Sequence, residues 1–234
     1  MTSGELLVGA VLPYTAIAVL AGGVAYRFVS WSKLPQPGKL TLYPTTGWGL
    51  SSALREALLF PNVYKGDRLL WLLAWPFHFA LACAFLGHFR VVTGLIDAAL
   101  EALGMTSVGI GEFSAVAGGV AGIVLLIAAG ALLLRRLLLP RAREVSSMPD
   151  FVALLLLVAV IVSGNAMRFG SNPINLAETR AWALSLLKFA PAVPSNRAVL
   201  MHAFCAELLI IYLPLSKLMH FGGMFYTMAL VRRS

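Results

Sequence analysis

Two apolar stretches carry every histidine of the chain: residues 69–92, LLWLLAWPFHFALACAFLGHFRVV, and residues 197–220, RAVLMHAFCAELLIIYLPLSKLMH. An apolar helix of about 20 residues crosses the hydrocarbon layer of a membrane. An imidazole at that depth is costly in lipid and therefore needs a partner. The first stretch holds His78 and His88, and the second holds His202 and His220. Two histidine pairs on two membrane spans predict a bound group between them.

The composition excludes an ordinary soluble domain. Of the 234 residues, 59% are hydrophobic and only 12% are charged, and the mean hydropathy is +0.85. A chain of this length has room for about five spans and for no separate soluble domain. The net charge of +8 does not indicate nucleic-acid binding, since that function needs a basic patch on a water-soluble module.

The predicted fold class is an all-α membrane protein, with residues 1–234 forming a single integral-membrane domain. The hydrophobic pattern predicts five spans, and the fifth is too long for one crossing and should project beyond the bilayer. An amphipathic stretch in the first connection, residues 50–60, is expected to lie along the membrane surface. The predicted spans are residues 6–29, 69–92, 113–134, 151–169 and 197–230.

Lysines and arginines predict the orientation in the membrane. They concentrate in the first connection, the third connection and the carboxyl-terminal tail, which alternating spans place on one side. The positive-inside rule makes that side cytoplasmic. In the inner (cytoplasmic) membrane of the cell, the N-terminus is therefore expected on the outer side and the C-terminus on the cytoplasmic side. This basic surface would face anionic lipid or an acidic partner. It includes Lys33, Lys39, Arg55, Lys65, Arg135, Arg136, Arg141, Arg143, Arg232 and Arg233.

Topology predicts which histidines meet. Spans two and five are antiparallel, so depth pairs His78 with His220 near the cytoplasm (the inner pair) and His88 with His202 near the outside (the outer pair). His202 and His220 share a helix face, since 18 residues make about five turns. The spacing on span two differs, which leaves a height offset of roughly 6 Å per pair. Tilted helices or a bend at Pro214 would absorb this offset.

Two haem irons, each held between one histidine of each span, are the simplest partners for these pairs. Two haems b stacked between spans two and five would carry electrons across the membrane. Covalent c-type attachment is excluded, because Cys83 and Cys205 do not form a Cys-x-x-Cys-His motif. The alternative is that the histidines bond between helices, or carry protons in a transporter or assembly protein.

The residues around the histidines resemble a known family. Phe77-His78, Gly87-His88-Phe89, His202 and the ending PLSKLMH at 214–220 are similar to the gamma subunit of respiratory nitrate reductase. They resemble still more closely the membrane cytochromes b of sulfate-respiration and heterodisulfide-reductase-type complexes. Lys217 in that ending favours the sulfate-respiration branch.

That resemblance implies a diheme cytochrome subunit of a respiratory oxidoreductase complex. It would exchange electrons between membrane quinone, here menaquinone, and a cytoplasmic iron–sulfur subunit, beside further membrane subunits. The four histidines would be the haem ligands. A basic residue that follows the second span in the nitrate-reductase pattern is missing, so the resemblance does not map the quinone pocket.

Further candidate residues have a structural and a functional interpretation each. Gly87 would let a porphyrin approach the backbone, or would serve helix packing. Lys217, Arg135 and Arg136 would bind haem propionates, or anchor the spans at the interface. Glu207 would belong to a proton path or to a buried structural pair.

The predicted quinone site lies at the outer pair. Asn165 and Arg168 end span four at that depth, and with Gly87 they are the candidates for the pocket. A second hypothesis keeps the haems but removes the quinone site. In it, the chain is a transmembrane electron conduit to or from an extracytoplasmic multihaem cytochrome c.

Overall fold

The computed structural model describes residues 2–34, 50–171, 174–220 and 222–223. Within these ranges all regular structure is helical, and five helices are long and apolar enough to cross a membrane. These helices are span one (α1, Ser3–Ser32), span two (α4, Arg68–Val92), span three (α6, Ser107–Leu138), span four (α8, Met148–Phe169) and span five (α10, Arg197–Tyr212, with apolar character to Leu215). The predicted all-α membrane class with five spans is confirmed.

Short helices occupy the connections. The first connection contains α2 (Leu50–Leu59) and α3 (Pro61–Gly66). The second contains α5 (Leu95–Ala102), the third α7 (Pro140–Glu144) and the fourth α9 (Leu176–Leu187). We refer to the end of the bundle that holds Thr2 and α9 as the N-terminal end, and to the end that holds α3, α7 and His220 as the C-terminal end.

Side-chain caps fix where the spans begin. The Asp67 carboxylate accepts a hydrogen bond from the Leu70 amide at 2.8 Å and starts span two. The Thr106 hydroxyl accepts one from the Gly109 amide at 3.1 Å and starts span three. Caps of this kind satisfy amides that have no partner inside the helix.

Span five ends earlier than the sequence pattern predicts. The continuous helix stops at Tyr212 and is followed by two 3-10 turns, Leu213–Leu215 and Lys217–Met219. Pro214 has no amide hydrogen and cannot continue the helical ladder. The extended Ser216 then caps the second turn, because its hydroxyl accepts a hydrogen bond from the Leu218 amide at 3.1 Å. Residues 221 and 224–230 of the predicted span lie outside the described residues.

The spans pack in the order two, three, four, five, one, each against the next. In the described residues, the core between spans two, three and four contains four alanines, whose small side chains let the helices approach closely. This core comprises Phe77, Ala80, Ala121, Leu125, Ala128, Ala129 and Ile161.

Spans two and five, which carry the histidines, do not pack along one another in the described part of the chain. Phe77 and Ala80 direct one face of span two at span three, and His78, one residue from Phe77, points about 100° away around the helix. The two histidine-bearing helices therefore border a gap backed by spans three and four.

The helix α9 joins spans one and two at the N-terminal end. The Trp182 indole donates a hydrogen bond to the Gly9 carbonyl at 2.7 Å, and the Tyr14 hydroxyl donates one to the Leu186 carbonyl at 2.9 Å. On the other side, the Arg180 Nε donates to the Arg90 carbonyl at 3.0 Å. Gly9 lies in a π-helical turn of span one, Leu7–Val11.

Candidate functional site

The structure brings the four histidines together as the inner and outer pairs that depth matching predicts. The ring centres of His78 and His220 lie 5.9 Å apart, with the rings perpendicular. The ring centres of His88 and His202 lie 6.0 Å apart, with 26° between the ring planes. The break at Pro214 lies between His202 and His220, which is the position of the bend expected as one of two ways to absorb the height offset.

Three of the four rings bind a backbone carbonyl through Nδ1. The Nδ1 of His78 donates to the Ala74 carbonyl at 2.7 Å, and that of His88 donates to the Ala84 carbonyl at 2.6 Å. The Nδ1 of His220 donates to the Lys217 carbonyl at 3.2 Å. Because a carbonyl only accepts, the proton of each neutral ring is assigned to Nδ1.

The fourth ring, His202, is oriented by span four. Its Nδ1 lies 3.0 Å from the Ser163 hydroxyl, which itself donates to the Val160 carbonyl at 3.0 Å. A hydroxyl has one hydrogen, so Ser163 accepts the hydrogen bond from His202. Gly164 gives the ring room, because a Cβ built there would lie 3.2 Å from the His202 Cε1.

Sequence reasoning missed Ser163 and Gly164. The available signal was the run Ser163-Gly164-Asn165 of small and polar residues inside an otherwise apolar helix. Polar side chains within a membrane span face a partner or a cavity as a rule.

These residues fit the two haem irons that the sequence implies. Within the described residues all four rings make their hydrogen bonds at Nδ1, which leaves each Nε2 available as a metal ligand. Two imidazoles that share one ion, each at about 2 Å, have ring centres about 6 Å apart. In the same ranges histidine, cysteine and carboxylate groups do not gather in threes, so each pair would offer two imidazole ligands to an iron.

A cavity of about 270 Å³ opens at the C-terminal end, between spans two, three and four and the turn Lys217–Met219 that follows span five. It brings together the three predicted propionate partners, Arg135, Arg136 and Lys217. Apolar residues form most of the remaining wall. They are Leu70, Leu132, Ala142, Val145 and Leu154.

Among the described residues, the charges around this cavity leave one positive charge in excess. The Asp150 carboxylate accepts from the Lys217 Nζ at 2.7 Å and lies 3.9 Å from the Arg136 guanidinium. Asp67 pairs with Arg135, whose Nε is buried without a partner among the described residues. Three cations face two carboxylates, which suits one further anionic group. The hydrogen bond from the Leu70 amide, with help from Arg135, lowers the pKa of Asp67.

The predicted quinone residues lie in different surroundings. Asn165 packs on span three, where its Nδ2 donates to the Gly122 carbonyl at 2.9 Å and to the Ile161 carbonyl at 3.0 Å. The Arg168 guanidinium lies over Gly118 of span three. Gly87 is exposed and faces open space. The structure thus gives Asn165 and Arg168 contacts that hold spans three and four together.

Glu207 is buried on span five, with only 6% of its surface exposed. Its Oε2 has no hydrogen-bond partner within the described ranges. The structural pair that one interpretation requires is therefore not seen there.

Comparison with known proteins identifies the family of this chain. The sequence model of the nitrate reductase gamma subunit family matches residues 62–234. A protein of Archaeoglobus fulgidus named "Hdr-like menaquinol oxidoreductase cytochrome b-like subunit" is 30% identical, over 95% of this chain and 78% of that protein. A protein of Archaeoglobus profundus with the same name is 26% identical, over 92% of this chain and 76% of that protein. The chain therefore belongs to the nitrate reductase gamma subunit family, among its Hdr-type membrane cytochromes b.

Proposed function

We propose that this chain is the diheme b-type cytochrome subunit of a respiratory complex, passing electrons between menaquinol and a subunit docked at its C-terminal end. The observation that carries the proposal is the approach of the histidines of span two to those that follow or lie in span five. The ring centres are 5.9 Å apart in the inner pair and 6.0 Å apart in the outer pair. The relatives' name, which contains both "menaquinol oxidoreductase" and "cytochrome b-like", supports the same class.

The residues of the chain have distinct roles in this proposal. The inner pair and the outer pair would each hold one haem iron, and the bound haems would supply one-electron redox chemistry. The Nδ1 hydrogen bonds keep each ring in the tautomer that presents Nε2. Arg135, Arg136 and Lys217 would bind the propionate end of the inner haem, and the one positive charge in excess around their cavity would neutralise one propionate.

The proposal puts quinol oxidation at the N-terminal end, beside the outer pair. With that end outside the cell membrane, protons leave on the outside while electrons move inward to the inner pair. Each charge that crosses is worth about 2.3 kcal/mol per 100 mV of membrane potential, so this placement stores energy. The exposed Gly87 next to His88 keeps that side open to a substrate from the lipid.

The proposed partner is an acidic iron–sulfur subunit on the cytoplasmic side. Lys65, Arg141 and Arg143 at the C-terminal end add to the basic cavity residues there. Opposite charge on the two surfaces would steer and orient such a partner. In a second candidate function, an extracytoplasmic multihaem cytochrome c docks at the N-terminal end instead, and the chain has no quinone site.

Haem content of single histidine variants tests the ligand assignment. The purified chain should give two haems b by pyridine haemochrome analysis. His78→Ala and His220→Ala should lose one and the same haem, and His88→Ala and His202→Ala the other, as identified by their midpoint potentials. Haem-free wild-type protein, properly inserted in membranes of a haem-replete host, would contradict the proposal.

Quinol-driven reduction separates the two electron-transfer functions. A menaquinol analogue should reduce both haems of the wild-type chain, and Gly87→Leu should slow the reduction while both haems stay bound. Rapid reduction only by an extracytoplasmic cytochrome c, with none by quinol, would favour the conduit without a quinone site.

A further inference from the structure

The segment α2–Phe60–α3 lies against the first turns of span two. The Trp71 indole donates a hydrogen bond to the Leu59 carbonyl at 2.8 Å, and the Trp75 indole donates one to the Leu58 carbonyl at 3.0 Å. Trp75 is seven residues beyond Arg68, where span two begins, and thus about 10 Å along the helix. The turn between α2 and α3 therefore reaches well below the start of the span.

The two indoles satisfy carbonyls that the turn leaves without helical partners. Phe60 has φ 50° and ψ 47°, a left-handed conformation, and Pro61 has no amide hydrogen. The helix α2 stops there, so its last carbonyls need other donors. In a membrane protein such a backbone break is tolerated only where other groups satisfy it.

This strained turn aims one side chain at the inner histidine pair. The Phe60 ring meets the His78 ring edge to face, with ring centres 5.1 Å apart. Phe77 meets His78 in the same manner at 5.4 Å. A bulky residue in the left-handed region is unusual, and strain of this kind persists where the surroundings fix it, commonly at functional sites.

We infer that Phe60 is a positioning residue that shields the inner haem site from water and thereby raises the midpoint potential of that haem. The inference rests on the proposed function. A haem iron with two neutral imidazole ligands and a porphyrin dianion is positively charged when oxidised and neutral when reduced by one electron. Apolar surroundings disfavour the charged state, so an aromatic cover favours reduction.

The test is a potentiometric titration of the diheme protein with its native partner subunits. Phe60→Ala should lower the potential of the haem that His78→Ala removes, and leave the other haem unchanged. We expect a decrease of about tenfold in the equilibrium constant for reduction, which is about 59 mV for one electron. Phe60→Leu, which keeps an apolar cover, should retain most of the wild-type potential.

Phe189→Ala is the matched control. Phe189 is the other non-glycine residue with positive φ among those described, at 54°, and it stacks on Tyr14 at 5.5 Å. Phe189→Ala removes an aromatic ring from a left-handed position as Phe60→Ala does, but away from the inner pair, so neither haem potential should change.

A second variant tests the turn without altering Phe60. Trp71→Phe combined with Trp75→Phe removes both indole donors and should lower the same potential. Unchanged potentials in both the Phe60→Ala protein and this double variant would overturn the inference, as would equal shifts of both haems or loss of the inner haem from both proteins. Haem content separates these outcomes from failure of the proposed function, in which the wild-type chain itself binds no haem.

Discussion

At the scale of single residues, the Nδ1 partner decides which nitrogen each histidine presents. His202 depends on a side chain of another helix, Ser163, whereas the other three rings bind carbonyls of their own segments. Ser163→Ala should therefore weaken the binding of the haem at the outer pair selectively. The expected loss of affinity is about 10- to 100-fold, the usual effect of removing the hydrogen-bond partner of a ligand. Haem retention during titration with a competing apoprotein measures it. Thr15→Ala, which removes only a bond within span one, should change nothing.

Asp67 gives a prediction for pH. Its pKa is lowered by the Leu70 amide and by Arg135, so its contribution to stability is complete above the ordinary Asp pKa of about 3.9 and is lost as pH falls through the lower folded-state value. Asp67→Asn keeps a good helix cap but removes the charge. The thermal midpoint of the Asp67→Asn protein in detergent should be lower than that of the wild type at pH 7. The difference between the two midpoints should become smaller below the ordinary Asp pKa of about 3.9. A difference of equal size above and below that pKa would contradict this prediction.

The sequence alone predicted the histidines and their pairing by depth, because imidazoles stand out in apolar spans and topology orders them. It could not predict Ser163 or Phe60 as their neighbours. Ser163 is one of several hydroxyl groups in the spans, and Phe60 one of 13 phenylalanines. Only the three-dimensional packing shows which of them contact an imidazole. The ligand role of the histidines stays a prediction.

At the scale of helices, glycines of span three determine how closely span four approaches. A Cβ at Gly122 would collide with the Asn165 side chain, which donates to the Gly122 carbonyl at 2.9 Å. Gly122→Ala should therefore cost about 1–3 kcal/mol of stability, since a buried amide loses its partner. Gly130→Ala, where a Cβ meets nothing within 4 Å, should be neutral or stabilising by up to about 1 kcal/mol. Chemical unfolding in detergent compares the two, and equal effects would argue against this role of Gly122.

Hydropathy predicted the spans well because a long apolar run has few alternatives in lipid. Span two was expected at 69–92 and is Arg68–Val92, and span four was expected at 151–169 and is Met148–Phe169. The end of span five was harder, since Pro214 can bend a membrane helix or end it. The bridging helix α9 was missed because its anchors, Gly9 and Arg90, are backbone carbonyls and leave no mark in a sequence pattern.

At the scale of the whole molecule, the gap between spans two and five makes stability depend on what fills it. These spans do not pack along one another in the described part of the chain. A ligand that binds only the folded protein stabilises it by about 2.7 kcal/mol at 100 times its Kd. The haem-depleted chain should therefore unfold at a lower temperature, and added haem should raise the thermal midpoint in a concentration-dependent manner.

The double variant His78→Ala with His88→Ala provides the control for this last prediction. It lacks one ligand from each pair, so added haem should leave its thermal midpoint nearly unchanged. An equal rise in the double variant and the wild type would mean that haem acts on the lipid-facing surface and not in the gap. A rise of the thermal midpoint confined to the wild type would mean that haem stabilises the protein by binding between spans two and five.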